Sequence, residues 1–507
     1  MGWIIDRTQN DLYPRFIRNG GLDWTNPAYW RPRISDGLFT NAGNLDVDLI
    51  REARANFKFK LPIESVTAYL KTGASVRDHD VEQYRYSRRW NYIGTGPLPV
   101  DPSVLMWDTV KTGRRIPVWE TTMFIRQGQP IDPSLWEEDR YYYEQNRLTN
   151  TWRVNELITG YYAMTQGRIG RTGFLGGVRR EETDTTGYSR IRSRVLTTAA
   201  EQAADPSGSG IKDYNNPIVR EGSYGQNFPS IHLWHDITPN LKARGSWTTG
   251  FGRPAMTNAV TALGINQTAQ TITFSNPGLK PTKAKNWDFS LEYYFEPSSS
   301  VSVGWFHKTI DDYIIAGRQI GVVEAGPNNG FNGDYSGYAI LSNGNAGRAI
   351  TQGVEISYQQ QFRFLPGLLK TLRFQANLTE LRAHGDYGMA GVYLKNKDVN
   401  GFIPRTVNAT LSWDYRKFST NISYNYNSES IRVAYDIAQP SRNRYMMSRE
   451  IVNASVRYQL PWWNTTLSMG VYNLFNAPQI YYRGIPDQRE MFLIQSTTMT
   501  VGLEGRF

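Results

Sequence analysis

The residues able to do chemistry are few. The chain carries five histidines, His79, His232, His235, His307 and His384, and no cysteine. Without cysteine there are no disulfides, no thiolates and no cysteine-based metal sites. His232 and His235 stand three apart in a segment that reads as a strand, so they point to opposite faces and do not chelate one metal. Arg77-Asp78-His79-Asp80 sets two acids beside a histidine and could hold a cation; the plainer reading is a solvated strand end or loop. Gly176-Gly177 and Gly250-Phe251-Gly252 lack the helix and lysine of a phosphate cradle, and glycines in strands more often permit bulges or close packing. Nothing marks a Ser–His or Asp–His pair as catalytic. The expectation is a protein that is not an enzyme, with no metal and no cofactor. Trp90, Tyr92, Tyr141, Tyr142 and Tyr143 could stack on a ligand; the plainer reading is an aromatic girdle or packing between loops.

The elements that position such residues follow from composition and pattern. The chain has 507 residues and a mean hydropathy of −0.52. No stretch approaches the roughly 18–20 apolar residues of a membrane helix. That leaves a membrane β-barrel open, because a barrel strand shows lipid only every second side chain. Aromatics make up 13% of the chain, with 31 Tyr and 15 Trp, more half-polar rings than a soluble core uses. Barrels place them in girdles at the two membrane–water interfaces. The net charge is 56 − 46 = +10. The basic residues are dispersed among acids, which speaks against nucleic acid and for an anionic ligand or lipid. The start, Met1-Gly2-Trp3-Ile4-Ile5-Asp6-Arg7, is not a signal peptide; a protein bound for the outer membrane needs one, so the expectation is a processed chain or a fragment.

Period-two alternation is unusually clean. Trp287, Phe289, Leu291, Tyr293 and Phe295 alternate with Asn286, Asp288, Ser290, Glu292 and Tyr294. Val407, Ala409, Leu411, Trp413 and Tyr415 alternate with Asn408, Thr410, Ser412, Asp414 and Arg416. The same holds for Leu372–Thr379, Val452–Leu460 and Ala53–Leu61. Such alternation predicts strands with two different faces. A polar, often charged parity suits a wet lumen, and an apolar parity ending in aromatics suits a lipid-facing band.

Short turns at 62–64, 167–170, 238–240, 297–299, 366–368, 416–417 and 461–463 alternate with long connections. The long ones run over 81–150, 184–227, 252–284, 316–349, 384–403, 433–446 and 475–493. The tips carry Pro, Gly, Asn or Ser, which is turn chemistry. Strict short–long alternation predicts periplasmic turns and extracellular loops. About fifteen strands fill 48–507, and 1–47 reads as one more extracellular loop. An odd count leaves the first and last strands running the same way, unable to close antiparallel, so further strands upstream are expected.

Specific segments then resemble one family. Asn276-Pro277-Gly278-Leu279-Lys280-Pro281 followed by Trp287–Tyr293, Gly304-Trp305-Phe306-His307-Lys308 leading to Asp311-Asp312-Tyr313-Ile314, Gly353-Val354-Glu355, and Gly250-Phe251-Gly252-Arg253-Pro254 are similar to TonB-dependent receptor barrels. So are Val471-Tyr472-Asn473-Leu474-Phe475-Asn476 and the ending Gly502-Leu503-Glu504-Gly505-Arg506-Phe507. In order across about 150–507 they make a strong match; 45–95 fits more loosely. Asn473, Leu474, Phe475, Asn476 and Phe507 enter as structural motif residues.

The resemblance implies an all-β, transmembrane antiparallel barrel of the 22-stranded receptor type, present as about 15 C-terminal strands with no plug domain. It implies residence in the bacterial outer membrane and energised uptake of a scarce, bulky ligand of siderophore, cobalamin or glycan type. The implied partners are outer-membrane lipid, a small-molecule or oligosaccharide ligand, the assembly machinery reading the C-terminal strand, and the TonB complex through an N-terminal region not in this chain. Without a plug the chain alone is not expected to transport actively. A passive porin-like or binding barrel and a non-functional remnant are the alternatives.

Overall fold

The computed structural model describes residues 2–9, 15–23, 26, 39–63, 66–94, 106–109, 114–117, 125–126, 129–193, 195–260, 263–266, 269–276, 278–295, 298–329, 331, 333, 335–345, 347–386, 393–395, 401–433, 441, 443–462 and 464–505. Phe507 lies outside them.

Fifteen long strands form one continuous antiparallel ladder in chain order. They are β1 (Phe39–Lys60), β2 (Thr67–Tyr92), β3 (Trp152–Ile169), β4 (Thr172–Ile191) and β5 (Asn216–Asp236). Next come β6 (Leu241–Gly252), β7 (Thr282–Phe295), β8 (Ser299–Asp311), β9 (Arg348–Gln361) and β10 (Arg373–Asp386). The last are β11 (Arg405–Tyr415), β12 (Phe418–Asn427), β13 (Arg449–Gln459), β14 (Thr465–Tyr472) and β15 (Thr498–Gly505). Each pairs with the next. The expected turns all fall between consecutive strands. Five of these connections turn through left-handed backbone, at Gly170 (φ 55°), Ser298 (φ 59°), Gly367 (φ 60°), Arg416 (φ 52°) and Asn464 (φ 43°).

Register makes the two faces continuous. Residues directly opposite one another share a face, and Leu291, Val303, Ile356 and Leu378 form one such row. Phe289, Trp305 and Val354 form the next. Leu291 is 47% exposed and Trp305 42%, although both are large and apolar. At the far edge Met499, Val501 and Leu503 are still more open. An apolar band of this extent is what a sheet presents to lipid rather than to water.

The opposite face is polar and differs along the sheet. From β1 to β9 it is charged: Arg244 donates to Glu292 (2.7 Å) and Arg179 to Glu181 (2.5 Å). From β10 to β14 amides and hydroxyls prevail, with Asn377, Asn408 and Asn425 in one row and Thr410, Ser423 and Asn453 in another, beside the Arg373–Asp414 ion pair.

Three strands run past their expected ends. β2 continues to Tyr92, β4 to Ile191, and β5 starts at Asn216, into stretches that the sequence pattern assigns to loop. At roughly 3.3 Å per residue β2 is roughly 85 Å long, far more than an apolar band of about 25 Å. Above the band both faces are wet, and the sequence contrast that marks a strand disappears. Asp78 and Asp80 sit on that outer surface, where Arg51 donates to Asp78 (3.0 Å) and Arg153 to Asp80 (2.8 Å). His79 points the other way, 2.7 Å from Asp48, so the pleat separates the residues of the candidate cation motif. β1 likewise begins at Phe39, inside the stretch read as loop.

The band predicts a face-specific response. Leu291→Arg should cost about 2–4 kcal/mol if it lies near the bilayer midplane, and Ser290→Arg on the wet face under about 1 kcal/mol. Urea unfolding in lipid vesicles, followed by far-UV circular dichroism, measures both.

Candidate ligand-binding surface

The long connections fold into structure above the sheet. Strands 263–266, 271–274, 339–345 and 314–322 form one small sheet, and 430–433, 444–446, 479–483 and 489–493 another. Helices α1 (Arg140–Thr149), α2 (Ala199–Ala204) and α3 (Pro206–Tyr214) cap the outer ends of β2 to β5. Asp139 caps α1 through the amide of Tyr142 (2.8 Å), and Thr198 with Glu201 closes a capping box on α2.

The five aromatic candidates all lie in this cap. Trp90 and Tyr92 are 2% and 6% exposed, and Tyr92 meets Trp136 edge-on at 5.3 Å. Tyr142 lies under the Arg89 guanidinium (4.2 Å) and Tyr143 under that of Arg88 (5.4 Å). Tyr141 donates to Asp213 (2.7 Å) and meets Tyr214 edge-on. Asp213 is fully buried and also accepts from the amide (2.9 Å) and hydroxyl (2.7 Å) of Thr197. Burial, reinforced by the bond to Asp213, pushes the Tyr141 hydroxyl above its ordinary pKa. The structure thus uses these rings to clasp loops together.

A cleft of about 360 Å³ opens beside the clasp, on the inner side of β3 to β5. Glu156, Tyr224, Pro254, Asn258, Asn276 and Lys280 line it. Its Tyr224 packs against Phe251. Phe251 stacks on Phe228 at 4.7 Å, the Arg253 guanidinium covers Phe251 at 4.6 Å, and Arg253 donates to Glu181 at 2.5 Å. Gly187 lets the loop close, since a Cβ there would stand 2.2 Å from the Ala259 carbonyl oxygen.

Asparagines tie its rim. Asn276 donates to the Asn343 carbonyl (3.0 Å), Asn343 to the Asn258 side chain (2.8 Å), and Asn345 to the Lys280 carbonyl (2.8 Å). Sequence reasoning missed Glu156, Tyr224 and this network; the only signal was the Asn276–Pro281 segment. A second hollow of about 670 Å³ lies lower on the wall among Trp234, Arg244, Asp288, Phe306, Lys308 and Glu355. His232 lines it, whereas His235 faces outward to Thr172 (2.9 Å).

The motif near the end is a hinge of chain direction. Asn473 adopts φ 52° and is buried; its side chain accepts from the Ala477 amide (2.8 Å). Its own amide donates to Asn453 (3.0 Å), and the Leu474 amide to the Val452 carbonyl (2.8 Å). Asn476 also adopts positive φ, and Phe475 is 75% exposed. Above it Arg444 grips both oxygens of Glu490 (2.7 and 2.6 Å) and Arg483 adds a third bond (2.6 Å). The Arg444 bonds foremost, and then Arg483, overcome the opposing effect of burial and hold Glu490 down at about 2 from an ordinary 4.5.

Comparison with known proteins supplies the family. The model of a family described as TonB dependent receptor-like, beta-barrel, matches residues 2–474. No curated protein matches the sequence. Among solved structures, the fold is similar to the ferric citrate transporter FecA in unliganded form: TM-score 0.56, 12% identity, 91% of this chain and 55% of that one. The siderophore receptor PiuA from Acinetobacter baumannii gives TM-score 0.56, 12% identity, 91% and 56%. The ferric-catecholate import receptor Fiu from K12 E. coli gives 0.54, 14%, 90% and 54%. This chain therefore spans about half the length of these receptors.

Two local predictions follow from the cap. Asp213→Ala strands Thr197 and Tyr141 and should cost about 2–3 kcal/mol of local stability; loss of amide protection over 192–215 in hydrogen exchange reads it. For Glu490 the folded pKa is depressed, so its stabilisation is present above about 4.5 and is lost as pH falls toward about 2. Pepsin cleavage of the 479–493 hairpin should rise across that window in the native chain and stay flat in Glu490→Gln.

Proposed function

Because this chain belongs to the TonB-dependent receptor family of bacterial outer-membrane β-barrels, we propose that it forms the ligand-binding wall of a receptor for energised uptake of a scarce, bulky solute. The observation that carries this reading is the cleft over the inner wall, roofed by loops that the Asn258–Asn276–Asn343 network holds in place. An ordered cleft at the outer end of a wet lumen is built to take a solute from outside and hand it inward. Aromatic Tyr224, cationic Lys280 and Arg220, and anionic Glu156 and Glu221 offer a polar ligand stacking and charge of both signs. The work is binding and transport, with the TonB complex as the energy-supplying partner of the intact receptor. Siderophore-type ligands rank first, since the similar structures include a ferric citrate transporter and a siderophore receptor; cobalamin and glycans rank behind.

Titration of the detergent-folded chain with ferric catecholate, ferric citrate, cobalamin and a maltooligosaccharide, followed by tryptophan fluorescence, tests the reading. One of the iron complexes should bind saturably, and Tyr224→Ala should weaken it about tenfold. Equal weak binding of all four, unaltered by Tyr224→Ala, removes the cleft from the function.

A further inference from the structure

Charge on the inner wall of β1 to β3 changes character along the strands. Toward the outer end several cations have an acid: Arg85 with Asp46 (3.7 Å), His79 with Asp48 (2.7 Å), Arg54 with Glu52 (2.9 Å). Toward the short-turn end the acids stop. Lys58 of β1 stands directly opposite Lys71 of β2, and Lys60 opposite Tyr69. Among the described residues none of these lysines has a carboxylate or hydrogen-bond partner. Instead the Lys58 ammonium lies over the Tyr69 ring at 4.0 Å, and that of Lys71 over Tyr162 at 5.9 Å.

Like charges directly opposite one another on a sheet destabilise it. A ring face steers an ammonium without neutralising it. Tyr69 also lines a hollow of about 580 Å³ with Arg168 and Trp234, a hollow that the lysines themselves do not line. Arg168 on its rim is already matched by Asp236, so the uncompensated charge belongs to the lysines.

We propose that Lys58, Lys60 and Lys71, with Tyr69 and Tyr162, form an anion-binding station at the periplasmic mouth of the lumen, for a solute bearing carboxylate or phosphate groups. The inference rests on the uptake reading and adds to it a place where an anionic solute pauses before leaving. Lysine-lined constrictions select anions in pores by the same physics.

The test is calorimetric titration of the full chain in neutral detergent with inorganic tripolyphosphate at low ionic strength. Saturable binding is expected, with Lys58→Gln and Lys71→Gln each weakening it about tenfold and Lys58→Arg retaining it. Lys308→Gln, a change at another inner-wall lysine, should leave it unaltered. Lys58→Gln should also raise the thermal midpoint by removing the opposed charge, so weaker binding is not lost folding. Unchanged affinity in the Lys58→Gln/Lys71→Gln double variant, or equal weakening by Lys308→Gln, overturns the proposal. So does displacement by hexaglutamate at lower concentration than tripolyphosphate needs, which assigns the site to an acidic peptide. Failure of the uptake reading shows separately, as the absence of any Tyr224-dependent binding at the outer cleft.

Discussion

In a bilayer core no water is available to the backbone, so every N–H and C=O of a spanning segment must find a partner within the protein. The ladder from β1 to β15 is the answer this sequence gives, and everything else in the structure hangs on its register. Once Leu291 is opposite Val303 and Val303 opposite Ile356, one face is apolar over strand after strand and the other is polar. A slip of one residue at any pair would exchange the two.

The polar face is where function can reside, and its chemistry is graded. Ion pairs dominate from β1 to β9, while amides and hydroxyls dominate from β10 to β14. The outer cleft sits over the charged sector, its Tyr224 packed against Phe251, and the lysines opposite one another near the short turns lie at the other end of it. A solute entering above and leaving below would meet paired charges first and unpaired cations last. The rigid clasp of Tyr141, Asp213 and Thr197 keeps the upper end ordered, and Arg444, Glu490 and Arg483 do the same on the opposite side of the loop layer.

Much of the ladder was legible in the sequence, because lipid and lumen impose opposite demands on neighbouring residues. Between Asn286 and Phe295 that contrast names the strand, its faces and its turn. It fails where the contrast fails: β2, β4 and β5 continue well above the apolar band, where Asp78, His79 and Asp80 are all wet and alternation carries no signal. The loop sheets were not legible either. Asn276 reaches Asn343 across 67 residues and Asn343 reaches Asn258 across 85, and no local pattern announces contacts at that range. The aromatic residues Trp90, Tyr92 and Tyr141 to Tyr143 were visible as a group; that they clasp loops depends on α1 and α3, which periodicity did not reveal. The opposed lysines need the β1–β2 register before they mean anything.

The central claim is that one parity of each strand faces lipid and the other water, and the cysteine-free sequence makes it directly measurable. Single cysteines introduced one at a time from Asn286 to Tyr293, spin-labelled in the vesicle-folded chain, report accessibility to oxygen and to a water-soluble nickel complex. The account predicts a period of two, with oxygen favoured at 287, 289, 291 and 293 and nickel at 286, 288, 290 and 292. Accessibility that rises and falls smoothly along the segment, or that favours nickel at every position, would contradict it.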